Sequence, residues 1–325
     1  ATGKSRAYNL LKSEDIFSTL DCLKKLGTKV VIKKKYFEIE GNGQTGFKYK
    51  KNLTLNAGNS GTLSRLLPAL LINSEKKIKI TGDKSLSKRD FSRIINPLSK
   101  FGANFYPKNK KTLPLYMFGT KSSKPINYFE KLGSAQCKSS VMLAAMNTKG
   151  RTFIKAKKSR NHTELLFKYL KLPIKIKTNK KFDYIEVDGG KKFKSFNYNI
   201  PSDISSSAFF IVLTLLSKKS EMLIRNVNIN PTRTGAISIL NKMGAKIIFK
   251  NIKNYKGEKT ADIFVKSLNK LKPINCPVKY NTSAIDEFLV IFLVAAKANG
   301  ISSFKDLSEL NQKESPRLIW SSKIL

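Results

Sequence analysis

Residues 58–71 read GNSGTLSRLLPALL: small polar residues come first, and the remainder is apolar on nearly every side. Small polar residues favour a helix N-cap, and a helix that is apolar all round is typical of the centre of a domain. Three other stretches follow the same pattern, namely GSAQCKSSVMLAAM (133–146), SDISSSAFFIVLTLL (202–216) and SAIDEFLVIFLVAA (283–296). The sequence therefore predicts four buried helices, each opened by a polar turn.

Four amphipathic helix patterns alternate with the buried ones. They are SEDIFSTLDCLKKLG (13–27), SKRDFSRIINPLSKFG (87–102), SRNHTELLFKYLKLP (159–173) and NPTRTGAISILNKMG (230–244). Each ends at a glycine or an equivalent break and precedes a β-hairpin pattern. The closing positions are 75, 71 and 71 residues apart and are Gly27, Gly102, Pro173 and Gly244. Such regularity indicates a duplicated βαβαββ unit, longer than a solenoid repeat, although coincidental spacing in an ordinary α/β chain is the alternative.

Length and composition restrict the class of protein. A chain of 325 residues with 41% hydrophobic content can form about two domains, each with its own core. No apolar run reaches the roughly 18 residues that a membrane-spanning helix needs, so we predict no membrane association. The few, widely separated cysteines fit a reducing compartment, and we predict a cytoplasmic protein. Three widely separated cysteines and a single histidine argue against a disulfide framework and against a zinc site.

The net charge of +40 raises the alternative of a non-catalytic basic protein that binds nucleic acid. The lysines that carry most of this charge are spread along the whole chain, which is typical of solvated surfaces, so we predict no nucleic-acid partner. Arginine is the more informative cation, because its planar fork binds carboxylate and phosphate through two hydrogen bonds. Only nine arginines occur among the 62 basic residues, and several lie in the loops that open the predicted helices.

Four of these loops share one chemistry. They are NAGNSGT (56–62), TGDKSLSKR (81–89), GSAQ (133–136) and SR (159–160). Small residues let backbone N–H groups approach a ligand at a helix N-terminus, where the helix dipole favours an anion. A single loop of this kind is an ordinary helix cap, but four at equivalent positions of a repeat indicate one site for a polyanion.

Carboxylates for which solvation is not the obvious explanation occur in two places. Asp286 and Glu287 open the fourth apolar stretch, and Glu309 and Glu314 lie in ELNQKESPR (309–317). A carboxylate in the first turn of a helix is ordinarily stabilised by the helix dipole, which is the simplest explanation of Asp286. The functional alternative is a general acid or base that acts on a hydroxyl beside bound phosphates.

Eight motifs of this chain resemble, in the same order, those of the 5-enolpyruvylshikimate-3-phosphate synthase family. They are GNSGT with its following Arg, TGDKSLSKR, GSAQCKSS, SRNHTE, PSDISSSAFF, NPTRTG with LNKMGA, AIDE, and ELNQKES with its following Arg. The related UDP-N-acetylglucosamine enolpyruvyl transferases share the fold but lack TGDKSLSKR and the KES motif, so they are the more distant alternative.

The resemblance implies an α/β protein of two domains built from βαβαββ units, with helices inside and sheets outside. The two domains are expected at residues 1–200 and 201–325. The first βαβαββ unit of the first domain is expected to be incomplete, and the last unit of the second domain to be missing. The family transfers the enolpyruvyl group of phosphoenolpyruvate to the 5-hydroxyl of shikimate 3-phosphate and releases phosphate, in a cleft between the domains. It needs no metal or organic cofactor, and a monomer is expected.

The resemblance also assigns residues, position by position. Shikimate 3-phosphate ligands would be Ser134, Gln136, Ser159 and Arg160. Phosphoenolpyruvate ligands would be Gly61, Arg89 and Arg317. Catalytic residues would be Asp286, Lys313 and Glu314: Asp286 caps the fourth apolar helix and handles the proton of the attacking hydroxyl, Lys313 stands beside it, and Glu314 donates a proton to the methylene carbon.

Three positions depart from the family pattern. Asp90 stands where a proline usually follows the arginine of SLSKR, Asn161 where aspartate is frequent, and Pro316 where aspartate usually precedes the last arginine. Pro316 matters most, because a proline lacks the N–H and has a fixed φ, and both could move Arg317.

The termini depart further. GKSRAYNLLKSED (3–15) matches the strand that follows the family's first substrate-binding helix, and WSSKIL (320–325) falls inside the fifth amphipathic helix. The expectation is a fragment of a longer protein and a catalytically incomplete chain.

We therefore expect little or no transferase activity from this chain alone, because cations on both sides of the phosphoenolpyruvate site are lost. The measurement is phosphate release from phosphoenolpyruvate and shikimate 3-phosphate, by this chain and by a restored form that carries both ends from a family member. Turnover by the chain alone that matches the restored form would contradict this expectation.

Overall fold

The computed structural model describes residues 1–43, 46–312 and 315–325. Its helices within these ranges are α1 Glu14–Lys25, α2 Gly61–Leu70, α3 Ser92–Lys100, α4 Ala135–Met146, α5 His162–Tyr169, α6 Ile204–Leu216, α7 Gly235–Lys242, α8 Phe288–Ala296 and α9 Arg317–Ile324. Its strands are β1 Thr2–Tyr8, β2 Lys29–Ile32, β3 Tyr36–Asn42, β4 Leu53–Asn56, β5 Ile78–Thr81, β6 Asn104–Tyr106, β7 Leu115–Phe118, β8 Asn127–Glu130, β9 Gly150–Lys157, β10 Ile174–Thr178, β11 Phe182–Gly189, β12 Asn197–Asn199, β13 Glu221–Asn228, β14 Ile247–Tyr255 and β15 Glu258–Lys266.

The βαβαββ repeat is visible in the element order and in the sheets. In the sheet β4-β5-β7-β6 the first pair of strands is parallel and the other two pairs are antiparallel. The sheet β8-β9-β11-β10 has the same order and the same directions. In the sheet β12-β1-β3-β2, β12 pairs in parallel with β1 and occupies the place that the first strand has in the other two. The predicted α/β class with repeated βαβαββ units is confirmed.

The chain forms two compact units. The first comprises Ala1–Lys158 with Leu166–Ile200, and the second comprises Ser159–Leu165 with Pro201–Leu325. The short segment 159–165, which carries two predicted substrate ligands, thus packs with the second unit although it lies within the first 200 residues. The assignment of 1–200 and 201–325 to two domains stays a prediction.

Each unit has its own apolar core, and the predicted apolar helices contribute to it. In the first unit α4 is buried along nearly its whole length, including Val141, Met142 and Ala145. In the second unit α6 and α8 contribute Ile211, Leu215 and other buried residues. The prediction of helices buried all round is wrong for α6, because one side of it is largely exposed within its unit at Phe209, Phe210 and Leu213.

The amphipathic helices end just before the closing positions that the sequence predicted. Gly102 follows α3 with a φ of +111° that a residue with a side chain rarely adopts, and its N–H donates to the carbonyl of Ser99. Where Pro173 takes the equivalent place after α5, the left-handed residue is Lys171, with a φ of +53°. No helix among the described residues has the length and apolar character to cross a membrane.

A charged residue lies in the core of the first unit. The side chain of Lys138, on α4, is 0% exposed, and its Nζ lies 3.9 Å from the carboxylate of Asp183 on β11. Asp183 also accepts hydrogen bonds from Lys158 Nζ at 2.7 Å and from Thr178 Oγ1 at 2.6 Å. Burial alone would raise the pKa of Asp183, but these hydrogen bonds and the two lysine charges outweigh burial and lower the pKa. The carboxylate therefore compensates a cation that has left solvent.

Substitution Asp183→Asn is expected to lower the free energy of unfolding by about 3 kcal/mol, because a buried cation loses its countercharge. Since the pKa of Asp183 is lowered in the folded state, its contribution is present above the ordinary value of 3.8 and is lost as the pH falls through the lowered value. Urea titrations at several pH values measure this difference.

The control is Asp188→Asn on the same strand. Asp188 is 39% exposed and lies 3.9 Å from Lys191, so its loss should change the free energy of unfolding by less than about 0.5 kcal/mol. Equal effects of the two substitutions would contradict a special role for Asp183.

Candidate active site

Gly61, the first residue of α2, lies directly under two guanidinium groups. A Cβ built on it would be 2.8 Å from Arg89 Nη1 and 3.8 Å from Arg65 Nη1. Ser60 caps the helix by accepting a hydrogen bond from the N–H of Leu63 at 3.2 Å. The N-terminus of α2 therefore lies beside two arginine side chains. This arrangement suits a small anion.

Gln136 lies in the first turn of α4, and both the oxygen and the nitrogen of its amide form hydrogen bonds with α2. Its Oε1 accepts a hydrogen bond from Arg65, and its Nε2 donates to Thr62 Oγ1 at 2.9 Å. Ser134 caps α4, its Oγ accepting from the N–H of Cys137 at 3.3 Å. The structure thus brings Gly61, Arg89 and Gln136 together around Arg65, which no site prediction included.

The loop before α4 is held by a carboxylate that sequence reasoning missed. Glu130, only 2% exposed, accepts hydrogen bonds from the N–H groups of Leu132, Gly133 and Ser134 at 3.1, 2.6 and 3.0 Å. A carboxylate that accepts several backbone hydrogen bonds fixes the path of the chain. Glu130 therefore sets the position of Ser134, and no local pattern in the sequence signals this.

Asp83 performs a similar task for the loop that carries Arg89. Its Oδ1 accepts from the N–H of Leu86 at 2.7 Å, and its other oxygen accepts from Asn59. Its N–H donates to the carbonyl of Gly58 at 2.8 Å, so the loops 56–61 and 81–89 are bonded to each other. Asp90, the first departure from the family pattern, accepts from the N–H of Ser92 at 2.6 Å and so helps to start α3 in place of a proline.

In the second unit the carboxylate of Asp286 lies between two arginines. Arg160 Nη2 donates to Asp286 Oδ2, and Arg317 Nη1 donates to Oδ1 at 3.2 Å. All three side chains are half-buried, with exposures between 19% and 24%. The prediction that Asp286 caps a helix is wrong: α8 begins at Phe288 and its N-cap position is Glu287, so Asp286 lies in the preceding turn with its side chain directed to the arginines.

Ser159 and Pro316 flank this group. The hydroxyl of Ser159 is buried and has no hydrogen-bond partner among the described residues, which leaves it available to an anionic ligand. Pro316 occupies the N-cap position of α9, where a missing N–H costs little, and Arg317 begins the helix and still contacts Asp286. The third departure therefore does not remove Arg317 from the group.

A second polar network lies beside Asn161, the remaining departure. Its Oδ1 accepts from Asn230 Nδ2 at 2.8 Å, and Asn230 also donates to Glu258 at 3.3 Å. Glu258 contacts His162 Nδ1 at 2.9 Å. Burial alone would raise the pKa of Glu258, but His162 and the two asparagines Asn228 and Asn230 outweigh burial and lower it. This network fixes the segment that carries Arg160.

Comparisons with known proteins identify these motifs as a set. The model of the family EPSP synthase (3-phosphoshikimate 1-carboxyvinyltransferase) matches residues 1–324. The chain belongs to the EPSP synthase family. A 3-phosphoshikimate 1-carboxyvinyltransferase from Petrotoga mobilis is 39% identical over 323 residues, which are 98% of this chain and 73% of that protein. The enzyme of that name from Ruthia magnifica is 40% identical over 320 residues, 98% of this chain and 72% of the relative.

Solved structures agree with this membership. The structure of EPSP synthase from Acinetobacter baumannii superposes with a TM-score of 0.86 at 36% identity, covering 99% of this chain and 72% of that one. The enolpyruvyl transferase NikO from Streptomyces tendae has a TM-score of 0.68 at 13% identity, over 92% of this chain and 68% of that one, and shows the shared fold alone. Membership makes this protein a transferase of the shikimate pathway.

Two predicted catalytic residues of the EPSP synthase motif, Lys313 and Glu314, lie outside the described residues. Among the residues that the structure does describe, no group of three or more histidine, cysteine or carboxylate side chains is arranged to hold a metal ion.

Glu287, next to Asp286, is a buried carboxyl group that sequence reasoning left without a role. It is 2% exposed and accepts a hydrogen bond from Ser205, whose Oγ accepts in turn from Arg233 Nη2 at 2.5 Å. Burial raises the pKa of Glu287, against the hydrogen bond from Ser205 and the charge of Arg233, and the Asp286 charge raises it further. The group is therefore shifted toward its uncharged form, which reduces repulsion with Asp286.

Substitution Glu287→Gln tests this shift. Above pH 4.5, the ordinary pKa, Glu287 releases its proton in the unfolded state but keeps it in the folded state, because its folded-state pKa is raised. The native protein therefore loses stability as the pH rises from 4.5 to the raised pKa. Gln does not titrate, so urea titrations should show Glu287→Gln becoming more stable relative to the native protein over this pH window. Ser205→Ala removes a hydrogen bond that lowers the pKa of Glu287. The pKa should then rise further, and the pH window of lost stability should extend upward. A pH-independent difference would contradict the assignment.

Proposed function

We propose that the described residues bind shikimate 3-phosphate and phosphoenolpyruvate and act in the transfer of the enolpyruvyl group to the 5-hydroxyl. The attacking oxygen adds to C2 of phosphoenolpyruvate while a proton enters its methylene carbon. Loss of phosphate and of a methyl proton from the tetrahedral adduct then regenerates the double bond. The observation that carries this proposal is Asp286, whose carboxylate is held between Arg160 and Arg317.

The arginines of both units fit anionic substrates. Arg65 and Arg89 lie close to Gly61, where the absence of a side chain lets the Arg89 guanidinium approach the N-terminus of α2. Arg160 and Arg317 share one carboxylate, so the group keeps a net positive charge, and a bound phosphate can compete for the arginines through charged hydrogen bonds. Fixed cations of this kind stabilise the charge that develops on the departing phosphate.

Asp286 is suited to handle the hydroxyl proton. Its two oxygens are oriented by two donors, and it is half-buried, so it can accept a proton from a hydroxyl placed at hydrogen-bonding distance. Ser134, Gln136, Ser159 and Arg160 are the ligands proposed for shikimate 3-phosphate, and Gly61, Arg89 and Arg317 those for phosphoenolpyruvate. Lys313 and Glu314, which lie outside the described residues, stay proposed catalytic residues, with Glu314 as the proton donor to the methylene carbon. A monomer in the cytoplasm stays a prediction.

Two substitutions separate binding from chemistry. Arg160→Gln should weaken binding of shikimate 3-phosphate to this chain by about tenfold or more, because a charged hydrogen bond to the substrate is lost. Asp286→Asn should leave binding within a few-fold, since it releases Arg160 and Arg317 to the anion, while turnover of the restored form falls by about 10²–10⁴. Isothermal titration calorimetry measures the first effect and phosphate release the second.

The matched control is Arg225→Gln, which removes an exposed arginine on β13 of the same unit. Its binding and turnover should equal those of the unmodified protein. If Arg225→Gln and Arg160→Gln weaken binding equally, the affinity reflects the general positive charge and the proposed site is wrong. If Asp286→Asn keeps full turnover, the assignment of the proton to Asp286 is wrong.

A further inference from the structure

One sheet face of the first unit carries aromatic and basic side chains in alternation. Across the sheet β8-β9-β11-β10, Phe129 pairs with Lys155, Lys155 with Tyr184, and Tyr184 with Lys177. The side chains of residues paired in this way project from the same side of a sheet. One row of this face therefore runs Phe129, Lys155, Tyr184, Lys177.

A second row lies beside the first. In it Asn127 pairs with Phe153, Phe153 with Glu186, and Glu186 with Lys175. Alternating neighbours such as Ile154 and Ile185 point to the core and are buried, so the two rows form the outer surface of the sheet. The two rows together are called the aromatic face.

The aromatic face is open to solvent within this unit. Phe129, Phe153 and Tyr184 are 41%, 48% and 41% exposed, and a groove of about 580 Å³ runs over them. Three large rings lie together on this exposed surface, and contiguous exposed apolar patches can mark interaction sites.

Cations lie among these rings. Lys155 Nζ is 5.0 Å from the centre of the Phe129 ring, 4.6 Å from Phe182 and 6.0 Å from Tyr184. The other basic side chains of this surface are Arg151, Lys157, Lys175 and Lys177, against the carboxylates Glu186 and Asp188. The surface is thus aromatic and net positive at once.

The charge of the chain and the polar groups of the face restrict the occupant. A second copy of a chain with a net charge of +40 would be repelled, so the partner is an anion. An anionic membrane fits less well, because Asn127 and the Glu186 carboxylate lie among the rings and would lose hydration against hydrocarbon. A nucleic acid offers hydrogen-bonding groups to both.

We infer that the aromatic face binds single-stranded nucleic acid. Unpaired bases stack on Phe129, Phe153 and Tyr184, while backbone phosphates are held by Lys155, Lys175 and Lys177. Aromatic platforms on a sheet surrounded by cations bind single strands in this way with little dependence on sequence. The bases of a duplex are stacked on each other, so they cannot stack on these rings.

The prediction of no nucleic-acid partner rested on the even spread of lysine along the chain. In the folded sheet, however, strand pairing brings lysines of β9 and β10 together on one surface.

The experiment is fluorescence anisotropy with a labelled oligothymidylate of about 16 nucleotides, titrated with the full chain at several salt concentrations. Phe153→Ala and Tyr184→Ala are each expected to weaken binding by about tenfold. Lys155→Gln is expected to lower the slope of log affinity against log salt by about one phosphate contact. Circular dichroism confirms that each variant is folded.

The matched controls are Phe264→Ala and Lys250→Gln, which alter a lysine and ring pair in the sheet of the second unit, with Nζ 4.3 Å from the ring centre. They should change affinity by less than twofold. Equal losses in both sheets, or undiminished binding after removal of Phe153 and Tyr184, would mean general attraction to a basic surface and would overturn the inference. Equal competition by a duplex, binding only to anionic vesicles, or no binding at all would overturn it as well.

Discussion

A helix that lies inside a domain can carry polar groups only at its ends or where a neighbouring element satisfies them, and this constraint decides where the chain can place its chemistry. Along α4, the Ser140 hydroxyl donates to the carbonyl of Arg65 at 2.9 Å, and the buried Lys138 faces Asp183 on β11. Other polar residues lie at the helix openings, with Ser60 at the N-cap of α2 and Ser134 and Gln136 at the start of α4. Backbone N–H groups of the helix are unsatisfied at the same positions. The sequence pattern of a buried helix and the anion site therefore have one physical origin.

Cations gathered for an anionic ligand must be kept in place by other contacts. Arg65 is held by the amide of Gln136, and Arg160 and Arg317 share Asp286. Each of these contacts is a hydrogen bond that a phosphate oxygen can replace, so the partner of an arginine also defines the direction in which it accepts a ligand. A ligand cannot replace the buried carboxylate that holds the loop before α4 in the same way. Glu130 is bonded to three backbone N–H groups, and its role is to keep a loop in one conformation.

The repeated unit, its helix ends and most polar helix openings could be predicted from the sequence because they depend on local spacing and on residue types with strong preferences. The roles of Gly61 and Gln136 came from the family resemblance, position by position. The contact of Arg65 with Gln136 and the link from Glu287 through Ser205 to Arg233 were not predicted, because they join residues far apart in the chain. Glu130 binds backbone N–H groups only two to four residues further along, but no residue pattern marks a carboxylate with this role. Asp286 was predicted to cap a helix, but that helix begins two residues later, at Phe288, and helix boundaries are the least reliable feature of a sequence pattern.

The two sides of a strand are constrained by different forces. In β9 the residues Ile154 and Ala156 are fixed by the core, and any substitution there has to satisfy its packing. Phe153 and Lys155 on the other side meet no such requirement, since a polar residue on an exposed strand position would leave the core unchanged. An aromatic ring at such a position stabilises the sheet through cross-strand contacts rather than through the core, so it can also serve a binding surface. The outer sheet surfaces are where this chain could add a second interaction without altering its core.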